Sequence, residues 1–422
     1  MINVLFVLLG IGIILFLGFF AEFLFKKIHV PDIIFLLIIG FLIGPHVLNY
    51  VSPLDVAEMA PIFTTFALIF LLFDGAFNIS LSSFAKGALK SVQITLLNFL
   101  LSALVISTIL FLFNFDLLVS IMGGFILGGI SSAFVIPLIK QMKVKGRVYS
   151  ILTLESALTD VFCIVMSFAI LEIIINLSTL NIFTILIRIF EMFSIAGLIG
   201  IFSGLIWIIV ILYVFKENKS YMITIAYLLL IYSFTEMLNG HGAIAALFFG
   251  LVLRNSKEII TKLTSLLNKI NPKLKPELLY RKYNLYSINA TTKSEKFFYS
   301  QLSFFLKTFF FVYIGILLEF SDLRIILISL IISIAVLFTR KISNLATKAY
   351  NDDERKLITS IFARGLAAAA IAQVVLNYNI PKIEDIVQIT FTVIVFTIFL
   401  SSIKVFLLKR KHSIKQSLTE IK

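Results

Sequence analysis

Glu155-Ser156-Ala157-Leu158-Thr159-Asp160 stands inside an apolar run over residues 150–177 and puts two carboxylates where bilayer hydrocarbon should be. An ionisable group at membrane depth costs at least about 2.5–3.5 kcal/mol on insertion scales, and it survives inside a bundle, beside a partner or on an ion pathway. Asp160 is therefore the first candidate for a working residue. On a helix Ser156 precedes Asp160 by one turn and shares its face, whereas Glu155 points about 140° away at 100° per residue. Asp160 and the Ser156 hydroxyl then make an oxygen-rich half-site suited to a small hard cation, and Glu155 needs a countercharge from another helix.

The rest of the composition requires a membrane. With 60% hydrophobic residues, 44 Phe and only 14% charged residues, the chain carries more apolar surface than one globular core can hide. Its net charge of +13 does not point to nucleic acid, because Lys and Arg fall in short segments between apolar runs and leave no basic-aromatic face. The single cysteine, Cys163, excludes an intrachain disulfide and reads as an inert core thiol. The sequence contains no phosphate-cradling glycine loop, metal-spaced His/Cys cluster or nucleophile elbow, so no cofactor and no enzymatic chemistry are expected.

Thirteen apolar runs can cross about 30 Å of hydrocarbon: 3–25, 31–48, 58–78, 91–113, 117–139, 148–176, 193–215, 220–237, 241–254, 301–319, 323–345, 355–377 and 384–408. The second and ninth are short enough that a re-entrant path stays open for each. Loop charge tests the count. Lys and Arg follow the odd-numbered runs, as in Lys26-Lys27, Lys140 to Arg147 and Lys409-Arg410-Lys411, while loops after even-numbered runs are nearly bare. Cytoplasmic loops carry the basic residues, which places the amino terminus outside and the carboxyl terminus in the cytoplasm.

This orientation permits an all-α fold of two inverted repeats. The first covers 1–177, a linker span 178–219, and the second 220–408 with a cytoplasmic loop 255–300 and a basic tail 409–422. The glycine motifs Ile39-Gly40-Phe41-Leu42-Ile43 and Phe249-Gly250-Leu251-Val252-Leu253 occupy matching runs. The fifth and twelfth runs also correspond, and each carries helix-weakening residues at mid-depth: Gly128-Gly129-Ile130-Ser131-Ser132 with Pro137, and Arg364-Gly365. Interrupted helices at such positions place backbone dipoles beside a transported ion. Close packing through small residues is the alternative reading.

Other intramembrane charges are candidates for lesser roles. Arg364 is the preferred countercharge for Glu155, tying the sixth run to the twelfth. Asp74, at the cytoplasmic end of the third run, is either an interfacial acid or a cation-entry residue. Lys307 is expected to snorkel to the interface, and both Lys307 and Arg340 remain accessory basic candidates.

Taken in order, these residues resemble the monovalent cation:proton antiporters, particularly their NhaP-type sodium/proton branch. Glu155-Ser156-Ala157-Leu158-Thr159-Asp160 is similar to the family's Glu-Ser-x-x-Asn-Asp signature. Further likeness lies in Arg364-Gly365 before Leu366-Ala367-Ala368-Ala369, in Lys307-Thr308-Phe309-Phe310-Phe311 before Gly315, in Thr339-Arg340, and in Gly250 to Asn255. The resemblance covers essentially the whole chain. It implies that Asp160 binds the ion, that Ser156 supplies a hydroxyl ligand, and that Glu155 and Arg364 form an inter-helix ion pair. It also implies that Asp74 lies on the cytoplasmic approach and that the chain forms a homodimer. Two departures bear on ion selectivity. Thr159 replaces the family's Asn, and Ser131-Ser132 replaces the Thr-Asp common in the broken fifth span, resembling the Ser-Ser-Thr of the potassium-efflux branch.

The expected function is exchange of Na⁺, with Li⁺, for H⁺ across a cell membrane through competition at Asp160, with Ser156, Thr159, Ser131 and Ser132 lining the site. One carboxylate alternating between a proton and a cation gives electroneutral exchange. K⁺/H⁺ exchange is the alternative within the class, and a monovalent cation channel is the alternative outside it.

Overall fold

The computed structural model describes residues 4–28, 32–52, 60–76, 81–142, 144, 146–175, 182–213, 221–259, 261, 293–342 and 351–420. Regular structure among these residues is helical throughout. The first four helices are α1 (Val4–Ile28), α2 (Asp32–Ile43), α3 (Ala60–Ala76) and α4 (Leu81–Leu112). They are followed by α5 (Leu117–Ile126), α6 (Ser132–Gln141), α7 (Gly146–Ile175), α8 (Ile182–Tyr213), α9 (Tyr221–Met237) and α10 (Gly242–Arg254). The chain continues with α11 (Lys293–Leu317), α12 (Leu323–Ile342), α13 (Asp352–Ser360), α14 (Leu366–Leu376) and α15 (Ile383–Glu420).

Each apolar run of the sequence corresponds to one helix or to one interrupted pair. The fifth run is α5 followed by α6, and the twelfth is α13 followed by α14, so both expected interruptions are present. Among the described residues, six helices contain segments long and apolar enough to cross a membrane by length and composition. Shorter apolar helices include α2 and α10, the two runs read as marginal, whereas α13 is rich in charge. The final helix continues past the last apolar run through Glu420. Most of the 255–300 loop lies outside the described residues, and α11 begins at Lys293, ahead of the apolar run it contains.

Packing divides the chain into two units, each drawn from both halves of the sequence. One comprises Met1–Ala67, Lys90–Thr179 and Phe304–Lys422, and it contains both interruptions. Within it, α2 and α11 cross at Gly40 and Gly315, where an added Cβ would strike Val312 O and Leu37 O respectively. Small residues allow such backbone approach where lipid leaves no hydrophobic drive for helix association. The other unit comprises Leu68–Leu89 and Leu180–Ser303. There Gly250, the counterpart of Gly40 in the repeated motif, packs against the Phe73 carbonyl.

The half-helices begin with suitable caps. The Asp116 side chain accepts from Leu118 N at 3.0 Å ahead of α5. The Glu354 carboxylate accepts from Asn351 N at 3.0 Å, and Asp352, Asp353 and Glu354 fill the first turn of α13. Negative charge there complements the partial positive charge of a helix amino terminus.

Candidate ion-binding site at the crossing of two interrupted helices

Interrupting a helix in an apolar setting strands backbone donors and acceptors that water cannot reach. The sequence answers with side chains. At the first interruption, residues 127–131, Ile130 N donates to Thr159 Oγ1 at 3.1 Å, and the Thr159 hydroxyl lies 3.4 Å from Ile130 O and 3.3 Å from Ser156 O. Arg364 Nη1 donates to the carbonyls of Gly128 and Gly129 at 3.1 and 2.5 Å. At the second interruption, residues 361–365, the last helix supplies a polar ladder. Thr397 Oγ1 accepts from Arg364 N at 3.0 Å, and Ser401 Oγ donates to Ser360 O at 2.7 Å. Lys404 Nζ donates to Thr359 O at 3.3 Å. Positions 397, 401 and 404 recur at one helical turn and so share a face.

The two interruptions also bond to one another. Ser131 N donates to Ala363 O at 2.8 Å, and Gly365 lies so close to Ser131 that an added Cβ would overlap its side chain. Ser131 Oγ in turn accepts from Phe134 N at 3.3 Å, capping α6. The carboxyl ends of α5 and α13 thus point carbonyls at Arg364 and Lys404, which neutralise the negative ends of those half-helix dipoles.

Asp160 sits beside this crossing. Ser132 Oγ donates to Asp160 Oδ2 at 2.5 Å, and Asp160 keeps partial exposure. Ser132, at the first turn of α6, therefore stands where the sequence reading put a ligand. Ser156 does not. Its hydroxyl is fully buried and donates to Thr153 O at 3.1 Å, because a serine inside an apolar helix satisfies itself on its own preceding turn. Thr159 and Ser131 serve backbone groups of the interruption rather than the Asp160 carboxylate.

The partner expected for Glu155 is corrected. Glu155 is 1% exposed and pairs with Arg340, whose Nη1 and Nη2 reach its two carboxylate oxygens, the second at 2.8 Å. Asn98 Nδ2 adds a third bond to Oε1 at 2.9 Å, and Arg340 Nε donates to Ile358 O at 3.1 Å. Arg364 is committed to the Gly128 and Gly129 carbonyls instead. The physical reason is that the open carboxyl end of α5 needs a charged donor, and Arg364 lies in the strand-like segment that crosses it.

Lys307 does not snorkel. It forms an ion pair with Asp32 at the start of α2, where Asp32 is 4% exposed, so burial of one charge is compensated by the other. Asp74 lies in the second packing unit, where its Oδ2 accepts from Ser303 Oγ at 2.7 Å. Sequence reasoning missed Asp32 and Asn98. The signal for Asp32 was a charge at the second residue of a short apolar run. Asn98 had no signal beyond being polar within an apolar stretch.

Paired interrupted helices that cross beside a membrane-embedded carboxylate define the architecture of a secondary transporter. The chain belongs to the sodium/hydrogen exchanger family, whose transmembrane model matches residues 11–410. Two solved structures of the sodium proton antiporter MjNhaP1 from Methanocaldococcus jannaschii share the fold. One gives a TM-score of 0.74 at 22% identity over 94% of this chain and 96% of that one, and the other 0.75 at 20% identity over 97% and 98%. The K(+)/H(+) antiporter NhaP2 of Shewanella oneidensis is 23% identical over 233 residues, which is 54% of this chain and 40% of that relative. The probable Na(+)/H(+) antiporter 2 of M. jannaschii is 28% identical over 274 residues, 58% of this chain and 63% of the relative. The matches thus span 40% and 63% of the lengths of these curated relatives, less than two thirds of either.

Proposed function

We propose that the protein is a secondary active antiporter that exchanges Na⁺, and with it Li⁺, for H⁺ at Asp160. The observation that carries this reading is the placement of one partly exposed carboxylate, held by Ser132, at the crossing of two interrupted helices. Desolvation penalises the charged form of a carboxylate. An aspartate in such a place is therefore stable when it holds a proton, or when a monovalent cation replaces it. The nearby charges do not compete for this role, because Glu155 is bound to Arg340, and Arg364 is bound to the α5 carbonyls. Exchange of one positive charge for another on a single carrier moves no net charge, so the cycle is electroneutral. Orientation with the amino terminus outside, and a homodimeric assembly, belong to the same proposal.

K⁺/H⁺ exchange is the second reading. It draws support from the serine pair at 131–132 and from the name of the Shewanella relative. An ion panel on purified protein in proteoliposomes separates the cases. Cation-driven proton movement followed by a pH dye should appear with Na⁺ and Li⁺, and its rate should not change when a valinomycin diffusion potential is imposed. A response to K⁺ alone would assign the second reading. Cation flux without proton counterflow would mean a channel.

A further inference from the structure

We infer that a single water molecule is a fixed constituent of the buried polar cluster, held between Asn98 on α4 and Arg364 in the second interruption. Both residues line one small cavity, together with Ser102, Gly128, Glu155 and Arg340, and it has room for about one water. Asn98 is 7% exposed and Arg364 2%.

Chemistry fixes the amide orientation. Asn98 Nδ2 faces Glu155, whose arginine-bound carboxylate only accepts, so Oδ1 turns the other way. Among the described residues, Asn98 Oδ1 and Arg364 Nε have no hydrogen-bond partner in the protein. A buried donor and a buried acceptor left dry would each carry their full desolvation cost, and native structures rarely leave such groups unpaired.

The two orphaned atoms specify the occupant. Arg364 Nε–H requires an acceptor and Asn98 Oδ1 requires a donor. An anion would satisfy the guanidinium but meet the lone pairs of the amide oxygen. A cation would satisfy the amide oxygen but face the guanidinium groups of both Arg340 and Arg364. Water does both, accepting from Nε and donating to Oδ1. It completes a continuous path from Arg340 through Glu155 and Asn98 to Arg364, and from there to the Gly128 and Gly129 carbonyls. Asn98 is then a positioning residue that links α4 to both buried arginines. The inference is independent of which ion the protein exchanges.

The test is a structure of the full chain at a resolution that shows ordered water, with separate data sets in bromide and in thallium to mark ions by anomalous scattering. The expected result is a peak within hydrogen-bond distance of both Arg364 Nε and Asn98 Oδ1, unmarked in either ion. An empty cavity, or a peak that carries the bromide or thallium signal, would overturn the inference. Asn98→Leu supplies an independent arm, replacing the amide by an apolar side chain of similar volume. It should lose the peak and melt at a lower temperature while keeping the Glu155–Arg340 pair. A peak that persists unchanged in that variant would remove Asn98 as its partner, and the wild-type result stands whether or not the variant folds.

Discussion

Removing either partner of the buried Glu155–Arg340 pair should destabilise the protein strongly. Glu155 and Arg340 are 1% and 5% exposed, and the guanidinium covers both carboxylate oxygens. In Arg340→Gln, Asn98 is the remaining hydrogen-bond donor to Glu155 among the described residues, and breaking a buried pair this way costs about 3–5 kcal/mol. Glu155→Gln strands the arginine in the same manner. The double substitution removes both charges, so its loss should fall short of the sum by about 2–3 kcal/mol, near the top of the range for contacting residues. The matching cycle with Arg364 should show a smaller coupling, because Arg364 bonds to neutral carbonyls, each bond to a charged group being worth about 1.5–3 kcal/mol. Thermal melting in detergent of the wild type, three single variants and two double variants measures both cycles. Additive losses for Glu155 and Arg340, or a larger coupling with Arg364, would refute the assignment.

Three further outcomes follow from the geometry. Gly365→Ala should destabilise by about 1–3 kcal/mol, since its Cβ would overlap Ser131, whereas Gly12→Ala, with nothing within 4 Å of the new atom, should melt like the wild type. Thr159→Val should cost about 1–3 kcal/mol by orphaning the Ile130 N–H, with Thr159→Ser recovering most of it in the same melting assay. In transport assays, Ser132→Ala should weaken apparent cation affinity more than Ser156→Ala, because only Ser132 bonds to the Asp160 carboxylate; equal effects would return Ser156 to the site.

The spans were legible because hydrocarbon thickness imposes a length, and apolar runs of that length leave little choice of element. The interruptions were legible for a related reason. Gly128-Gly129 and Arg364-Gly365 weaken helices at mid-depth, where both breaks fall, whereas Pro137 lies inside α6. The choice of partner was not. Arg340 is followed by Lys341 in the last turn of α12, where it looks like an ordinary cytoplasmic flank, and only tertiary packing turns it toward Glu155. Arg364 looked like the better countercharge because it lies deeper in its run. The carbonyls it serves exist only once α5 has ended, a backbone demand that charge patterns do not record. Asp32 and Lys307 are separated by most of the chain, Asp32 at the edge of its run and Lys307 inside its own, so neither carries a local sign of the other. Ser156 shares a helical face with Asp160, yet its hydroxyl is taken by the carbonyl one turn earlier, a competition that spacing alone does not resolve.

The claim at the centre of the account is that one carboxylate, Asp160, holds either a proton or a cation. Adding Na⁺, Li⁺ or K⁺ to the purified protein in weakly buffered detergent solution, while recording pH and bound cation together, tests it without a membrane or a gradient. The account predicts about one proton released for each cation bound, since binding and deprotonation are linked at the same group. It also predicts no release and no binding in Asp160→Asn, in a protein that melts like the wild type. Proton release that survives in Asp160→Asn, or cation binding to the wild type without any release, would contradict it.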